Sequence, residues 1–412
     1  MNRMTNPPQA DDWLSMEPAP DVDELIERAA ALRPMLFDRA AQTERDQCVS
    51  KEVTAELVRA GLYRICQPRR FGGYGLPPSV MLQVGFELGR ACGSTAWCVM
   101  IGNVNAWMTS YWPIEAQQEI WAESSDDLVI GTFVPTGNCS PAPGGYHVSG
   151  RWPFGSNCDH AAWMFVGAAL PDADGKPADV GWFMIPRAEL GIDHDSWRVS
   201  GMQGTGSKTL FANDPLFVPD HRIIRFSDVM RGTTPGPKEA GLDMSMFAFT
   251  TFGALGLVAP LLGMAQGALD WFSDTMQKKV KTSLKPGGAG TAAQSPFTQT
   301  RIGEASAAID SAFCLLLADL APVEKKVMEE QSLTVTERIR IRRDIGFAAA
   351  QSVRAVNLLF EGAGASAASL DAPIQRYWRD INAAARHATL DVQTIYSLVG
   401  QDRLGVPTTS PF

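Results

Sequence analysis

The spacing of apolar residues changes twice along this chain, and the order of those changes constrains its fold more than any other feature. In the first stretch Leu25, Ala29, Leu32 and Leu36 recur at helical spacing, and Ser50 stands where it can cap a helix that stops at Gly61. Phe71-Gly72-Gly73-Tyr74-Gly75 reads as a turn before a helix over Ser79–Arg90. Ala91 to Trp121 is apolar and rich in tryptophan, with Pro113 dividing it into two helices. Between residues 126 and 228 the pattern becomes β-prone, in the runs Leu128–Val134, Tyr146–Trp152, Trp163–Leu170, Gly181–Pro186 and Lys208–Val218. Turn sequences such as Pro-Thr-Gly-Asn, Pro-Ala-Pro-Gly-Gly and Asp-Ala-Asp-Gly separate them, which predicts a compact antiparallel barrel or sandwich. Helical spacing then returns: Phe247–Met276, a helix marked by Ile302, Ala305, Ile309, Phe313 and Leu316, another marked by Ile345, Ala349, Val353, Val356 and Phe360, and a last one from Pro373 to Gly400. Four such helices suffice for a bundle.

The expected class is therefore α+β, with a helical domain over 21–125, a central β-domain over 126–228 and a four-helix bundle with loops over 229–412. Residues 1–20 are acidic and proline-rich and read as a disordered leader rather than a signal peptide, because no basic start precedes an apolar run. Met244 to Leu269 carries no charge and is long enough to span a bilayer. It also holds Ser245, Thr250, Thr251, Pro260 and Gln266 and is bracketed by Asp243 and Asp270, so a buried bundle helix is expected and no membrane partner. The formal net charge of −9 excludes nucleic acid as the main partner. The 7 cysteines are dispersed without a Cys-x-x-Cys pair, as in reduced cytoplasmic thiols. The loops Arg231–Leu242 and Lys281–Ser295 are candidates for covering a site.

With only 5 histidines, each can be weighed. His147, His194 and His221 read as solvated or structural, and His160 either faces a site or caps a strand. On a continuous last helix, His387 shares a face with Asp391 four residues on and Asp380 seven residues back. A histidine held by a carboxylate suits a general base or proton donor near neutral pH; the alternative is a surface histidine with ordinary charge neighbours. Trp152-Pro-Phe-Gly-Ser-Asn157 sets two aromatics beside a hydroxyl and an amide, which suits a flat heteroaromatic ring or, alternatively, a strand end packed on a helix. No Gly-x-Gly-x-x-Gly turn follows a strand, which argues against a Rossmann domain, and Gly201-Met-Gln-Gly-Thr-Gly-Ser207 lacks the Lys-Ser/Thr pair of a phosphate loop.

The order of regions, together with Gly-Arg-Trp-Pro-Phe-Gly-Ser-Asn-Cys-Asp-His-Ala-Ala-Trp (150–163), resembles the acyl-CoA dehydrogenase fold, and more closely the oxygenase components of two-component flavin monooxygenases. Supporting motifs are Gln-Pro-Arg-Arg-Phe-Gly-Gly (67–73), Cys-Gly-Ser-Thr-Ala-Trp (92–97), Trp-Arg-Val-Ser-Gly-Met-Gln-Gly-Thr-Gly-Ser (197–207), Val-Pro-Asp-His-Arg (218–222) and Tyr-Trp-Arg-Asp-Ile-Asn-Ala-Ala-Ala-Arg-His (377–387). The similarity runs from about residue 25 to 405. It implies that reduced FMN or FAD, supplied as a co-substrate by a separate NAD(P)H flavin reductase, reacts with O2 through a C4a-hydroperoxide to oxygenate a small aromatic or heteroaromatic molecule. It also implies a homo-oligomer, dimeric or tetrameric. Carried onto this chain, the resemblance gives a flavin site of Trp152, Phe154, Ser156, Thr205, Ser207 and Thr132, with Ser156 near N5. His387 and Ser156 become the catalytic candidates, and Trp97, Asn105, Trp107 and His387 the substrate candidates.

Two departures sharpen this. Many acyl-CoA dehydrogenases carry a glutamate base shortly after the Arg-Asp of the last helix, whereas Arg386-His387-Ala388-Thr389 stands here. The region Lys281 to Gln299 also lacks their Arg-x-x-Phe-Gly, leaving an FAD-bound dehydrogenase or oxidase with an unusual base as the alternative. Phenol hydroxylases of the group tend to carry a histidine where Asn105 falls, and a neutral amide cannot become cationic beside a phenolate. A larger hydrophobic or heteroaromatic substrate is the expectation.

Overall fold

The computed structural model describes residues 19–172, 174–237, 244–281 and 290–407. The leader over 1–18 and parts of both covering loops, 238–243 and 282–289, lie outside the described residues. Five helices come first: α1 (Val22–Asp46), α2 (Lys51–Arg59), α3 (Pro78–Gly89), α4 (Gly93–Thr109) and α5 (Ile114–Trp121). The Ser50 side chain accepts the Val53 N–H, a cap worth about 1 kcal/mol, and Pro113 stands just before α5 as anticipated.

The middle of the chain supplies β1 (Val129–Ala142), β2 (Gly145–Gly155), β3 (Trp163–Pro171), β4 (Pro177–Pro186), β5 (Gly191–Asp193), β6 (Lys208–Pro219) and β7 (Ile223–Arg225). They form a sheet in the order β5-β6-β2-β1-β3-β4-β7. The expected antiparallel domain is in fact mixed, because β1 and β3 run parallel. After the β1–β2 hairpin the chain turns through Cys158–His160 and starts β3 beside the start of β1, where the Ala162 and Trp163 N–H groups both donate to Leu128 O. Alternation of apolar residues records which face is buried and carries no information on a partner's direction. Pro-Thr-Gly-Asn (135–138) is likewise no turn but a bend inside β1, where the register shifts between Thr132 and Gly137. The first half of β1 pairs with β3 and the second half with β2, joining the two sides of the sheet.

Beyond the sheet come α6 (Phe226–Arg231), α7 (Phe249–Phe252), α8 (Leu255–Lys278), the short pair β8 (Val280–Lys281) and β9 (Gly290–Thr291), α9 (Pro296–Met328), α10 (Val335–Ala363), α11 (Pro373–Ala384) and α12 (Val392–Leu404). The apolar segment expected as a bundle helix is α8, whose most apolar window is 94% buried among α3, α4, α9, α10 and α11. Its approach to α3 is close enough that a Cβ on Gly263 would lie 2.2 Å from Phe86 O. The last expected helix is divided: α11 ends at Ala384 and α12 begins after Asp391, whose carboxylate accepts the Thr394 N–H.

Candidate functional site

Two loops at the strand ends of β2 and β6 are built from backbone that side chains rarely adopt. Phe154 (φ 66°) and Asn157 (φ 63°) stand at the end of β2, and Met202 (φ 59°) and Gly206 (φ 52°) in the loop before β6. Such conformations persist where the surroundings fix them and concentrate at binding sites. Here the loops lock together: the Asn157 N–H donates to Thr205 O at 2.9 Å, and Asn157 Nδ2 donates to the buried Tyr63 hydroxyl at 3.3 Å. The result leaves the Phe154 ring 64% exposed, edge-on to Trp197.

Behind Phe154 runs a chain of buried hydroxyls. Ser156 Oγ lies 2.7 Å from Ser207 Oγ, which lies 2.7 Å from Thr205 Oγ1, and Thr205 Oγ1 donates to Met202 O at 2.8 Å. Each hydroxyl has one proton, and the carbonyl only accepts. With all three bonds made, every proton points towards Met202 O, so Ser156 is left at the open end as an acceptor.

The C-terminal helices brace this loop. Asp380, on α11, accepts the Met202 N–H at 2.5 Å, and burial pushes its pKa up to about 6. Arg379 pairs with Glu44 and donates to Ser200 O at 2.9 Å. Gly201 is pressed so closely onto α11 that a Cβ there would sit 2.2 Å from Arg379 O. Tyr377 donates to Arg90 O at 2.5 Å, fixing the same helix to the end of α3. The Tyr-Trp-Arg-Asp motif is thus a scaffold for the loop at 201–207.

Helix α4 forms the opposing wall. Its N-terminal half touches the same loop, with Cys98 Sγ directed at Thr205 O. One residue earlier, Trp97 lies edge-on to His387 with ring centroids 6.0 Å apart. Further along, polar atoms are buried without partners. Among the described residues eight buried side-chain N or O atoms lack a hydrogen bond, and four belong to Asn105, Trp107 and Ser110. Thr132 Oγ1, on the adjoining strand β1, is another. Buried polar groups are normally paired, so this concentration makes the wall a candidate ligand-binding surface. A small cavity opens beside Ser110, lined also by Pro68, Arg70, Gly75, Gln117, Pro237 and Met244. Trp107 meets Phe249 edge-on, and Phe249 stacks on Phe133 at 5.3 Å, giving an aromatic wall. Asn105, Trp107 and Thr132 are among the candidates singled out from the sequence; Ser110 is not, and its only signal there is its place three residues after Trp107 on one helical stripe.

The geometry expected around His387 is not observed. The residue follows α11 and caps the turn Ala388–Leu390, so neither Asp380 nor Asp391 shares a helical face with it. Its Nδ1 instead lies 2.9 Å from Thr389 Oγ1 and 3.3 Å from the Thr389 N–H that it accepts. The ring keeps an exposed edge while protein crowds its other sides; that desolvation, with the Arg342 guanidinium nearby, lowers its pKa. Asp380 is committed to Met202 and Asp391 to α12, so neither is a free base. Among the other histidines, His160 bonds Val49 O at 2.6 Å and His221 pairs with Glu119, both structural.

Comparison with known proteins decides the family. Residues 24–124 match the model of the acyl-CoA dehydrogenase N-terminal domain and 255–392 that of its C-terminal domain. The chain is 33% identical to the flavin-dependent monooxygenase oxygenase subunit HsaA of Rhodococcus jostii, over 93% of this chain and 99% of that one. It is also 33% identical to the oxygenase component of an FADH(2)-dependent resorcinol hydroxylase from a Rhizobium species, covering 98% of each. The chain belongs to the flavin-dependent monooxygenase oxygenase components. The crystal structure of 3-HSA hydroxylase from Rhodococcus sp. RHA1 superposes with a TM-score of 0.87 at 32% identity, over 94% of this chain and 98% of that one. XiaF from a Streptomyces species, solved with FADH2 and glycerol, superposes at 0.86 with 26% identity, over 95% of this chain and 97% of that one.

The monooxygenase requires a flavin site, and the residues fit one. An exposed aromatic at Phe154, an acceptor at Ser156 and an unpaired hydroxyl at Thr132 suit a flat ring with polar edges. Trp152 is not brought to them. It is fully buried in the sheet core, and its indole N–H donates to Gly167 O at 2.9 Å.

Proposed function

We propose that this monooxygenase oxygenates a neutral, hydrophobic aromatic or heteroaromatic molecule, using reduced flavin delivered by a separate NAD(P)H-dependent reductase. The observation that carries the reading is the hydroxyl chain ending at Ser156. Reduced flavin bears a proton on N5, whereas oxidised flavin presents a lone pair there. An acceptor at Ser156 therefore favours the reduced form, as a co-substrate that arrives reduced and leaves oxidised requires. When bound, reduced flavin supplies the electrons and the atom at which oxygen is activated.

The chain's own side chains do the rest. Phe154 packs on the ring, Ser156 accepts from its edge, and Thr205 with Ser207 hold Ser156 in that polarity. His387, beside Trp97 and neutral at pH 7, takes or holds a proton near the substrate. Trp97, Asn105, Trp107, Phe249 and Phe133 enclose the substrate and exclude water. A homo-oligomer is supported by α9, where only 39% of an apolar window is covered within the chain, and by Phe297, 82% exposed. The 7 free cysteines and the buried α8 are in keeping with a cytoplasmic enzyme. Against the dehydrogenase alternative, the carboxylates flanking His387, Asp380 and Asp391, are engaged elsewhere and offer no free base there.

The test is turnover with a flavin reductase, NAD(P)H and isotopically labelled oxygen over a panel of neutral aromatics. Incorporation of one labelled oxygen atom into a product supports the reading. Desaturated product without label would overturn it in favour of the dehydrogenase.

A further inference from the structure

Asn105 is fully buried on α4, and both its Nδ2 and its Oδ1 lack a partner. Its backbone carbonyl is satisfied by the Thr109 hydroxyl at 2.8 Å, so only the side chain is unmet. Eight residues along a helix amount to a rotation of about 80°, so Asn105 stands on the same side of α4 as Trp97, which touches His387. A buried carboxamide needs both an acceptor for its NH2 and a donor for its oxygen. An anion offers acceptors alone and would set its charge against Oδ1. No charged side chain lies on α4 between Gly93 and Thr109 to offset that charge; Arg342, the cation beside His387, donates to Thr389 O at 2.7 Å, and His387 is held towards its neutral form.

We propose that Asn105 selects the substrate by pairing with a neutral edge that offers a hydrogen-bond donor and acceptor together, as a lactam, carboxamide or un-ionised hydroxyl does. The assignment rests on the monooxygenase reading for where the substrate sits. It excludes aryl carboxylates and phenolates as the bound form. A site built to pair with such an edge rejects analogues that leave its buried groups unpaired.

Three probes separate the possibilities, with binding followed by quenching of tryptophan fluorescence in the full chain. 2-Quinolinone presents N–H and C=O side by side, N-methyl-2-quinolinone only the C=O, and 2-naphthoate only an anion. The expected order is 2-quinolinone tightest by about tenfold over its N-methyl form, with naphthoate weakest. Asn105→Leu should bring the two quinolinones within about twofold of one another while raising the melting temperature of the ligand-free chain by about 2 °C, because it removes an unmet buried amide. Naphthoate binding tightest, no preference among the probes, or no binding by any of them overturns the proposal. So does a fall in melting temperature, the sign of an amide satisfied by structural water. Loss of labelled-oxygen incorporation with this ligand order intact would instead remove the monooxygenase reading and leave Asn105 as a recognition residue.

Discussion

His387 stands edge-on to Trp97, with ring centroids 6.0 Å apart and planes inclined at 61°. The contact brings the segment after α11 against the helix that carries Asn105, and it sets an ionisable ring beside an apolar wall. His387→Ala is expected to lower product formation by about a hundredfold while changing reduced-flavin affinity less than about twofold. Because burial and Arg342 hold the His387 pKa below its ordinary 6.5, the neutral ring predominates at pH 7. The rate should hold across neutral pH and fall on acidification below that value. A pH profile of product formation that keeps its acidic limb in His387→Ala removes His387 from the proton chemistry.

The polarity of the Ser156–Ser207–Thr205 chain depends on Thr205 donating to Met202 O. Thr205→Val deletes that donor with little change of shape and frees Ser207 and Ser156 to point either way. The preference for reduced over oxidised flavin should shrink about tenfold, read by anaerobic titration with each form. An unchanged ratio would show that the chain does not sense the flavin's edge.

Asp380 links this loop to pH. Its folded pKa, raised by burial to about 6 from 3.8, means that the folded chain binds this proton more tightly than the unfolded one. The stabilisation is therefore fully present below the unfolded value and lost as pH rises through about 6. Asp380→Asn keeps an acceptor for the Met202 N–H and abolishes the titration. Urea unfolding at a series of pH values should show the variant losing less stability than the parent between pH ~4 and ~6. Parallel curves for the two proteins would contradict the assignment.

Gly201 has no room for a methyl group against Arg379 O. Gly201→Ala should cost about 1–3 kcal/mol in urea unfolding and weaken flavin binding with it, because the loop at 201–207 must lift from α11. Full stability with normal flavin affinity would mean that the loop does not depend on this contact.

The helical regions were legible because their apolar residues keep one period over several turns, and Ser50 and Pro113 punctuate them as expected. The β region was legible as strands but not as a pairing scheme: nothing in the alternation of Trp163 to Leu170 reports that β3 runs parallel to β1. The break after Ala384 escaped because Ala-Ala-Arg-His-Ala holds no proline or glycine; the start signal at Asp391, a cap for Thr394, was read as a charge partner instead. Within the candidate site, residue types pointed to Ser156 and the family resemblance to Thr205 and Asn105, but the direction of the hydroxyl chain and the unmet amide exist only in three dimensions. Trp152 illustrates the converse, since strand position left open which face it takes, and it went to the core.

The most direct measurement of the central claim is stopped-flow mixing of the chain and anaerobically reduced flavin with oxygenated buffer, followed by absorbance. Oxidised flavin is expected to appear only after a transient phase absent from free flavin, and a productive substrate should couple that phase to oxygenated product. Oxidation at the rate of free flavin, both with and without substrate and with FMN as well as FAD, would contradict it.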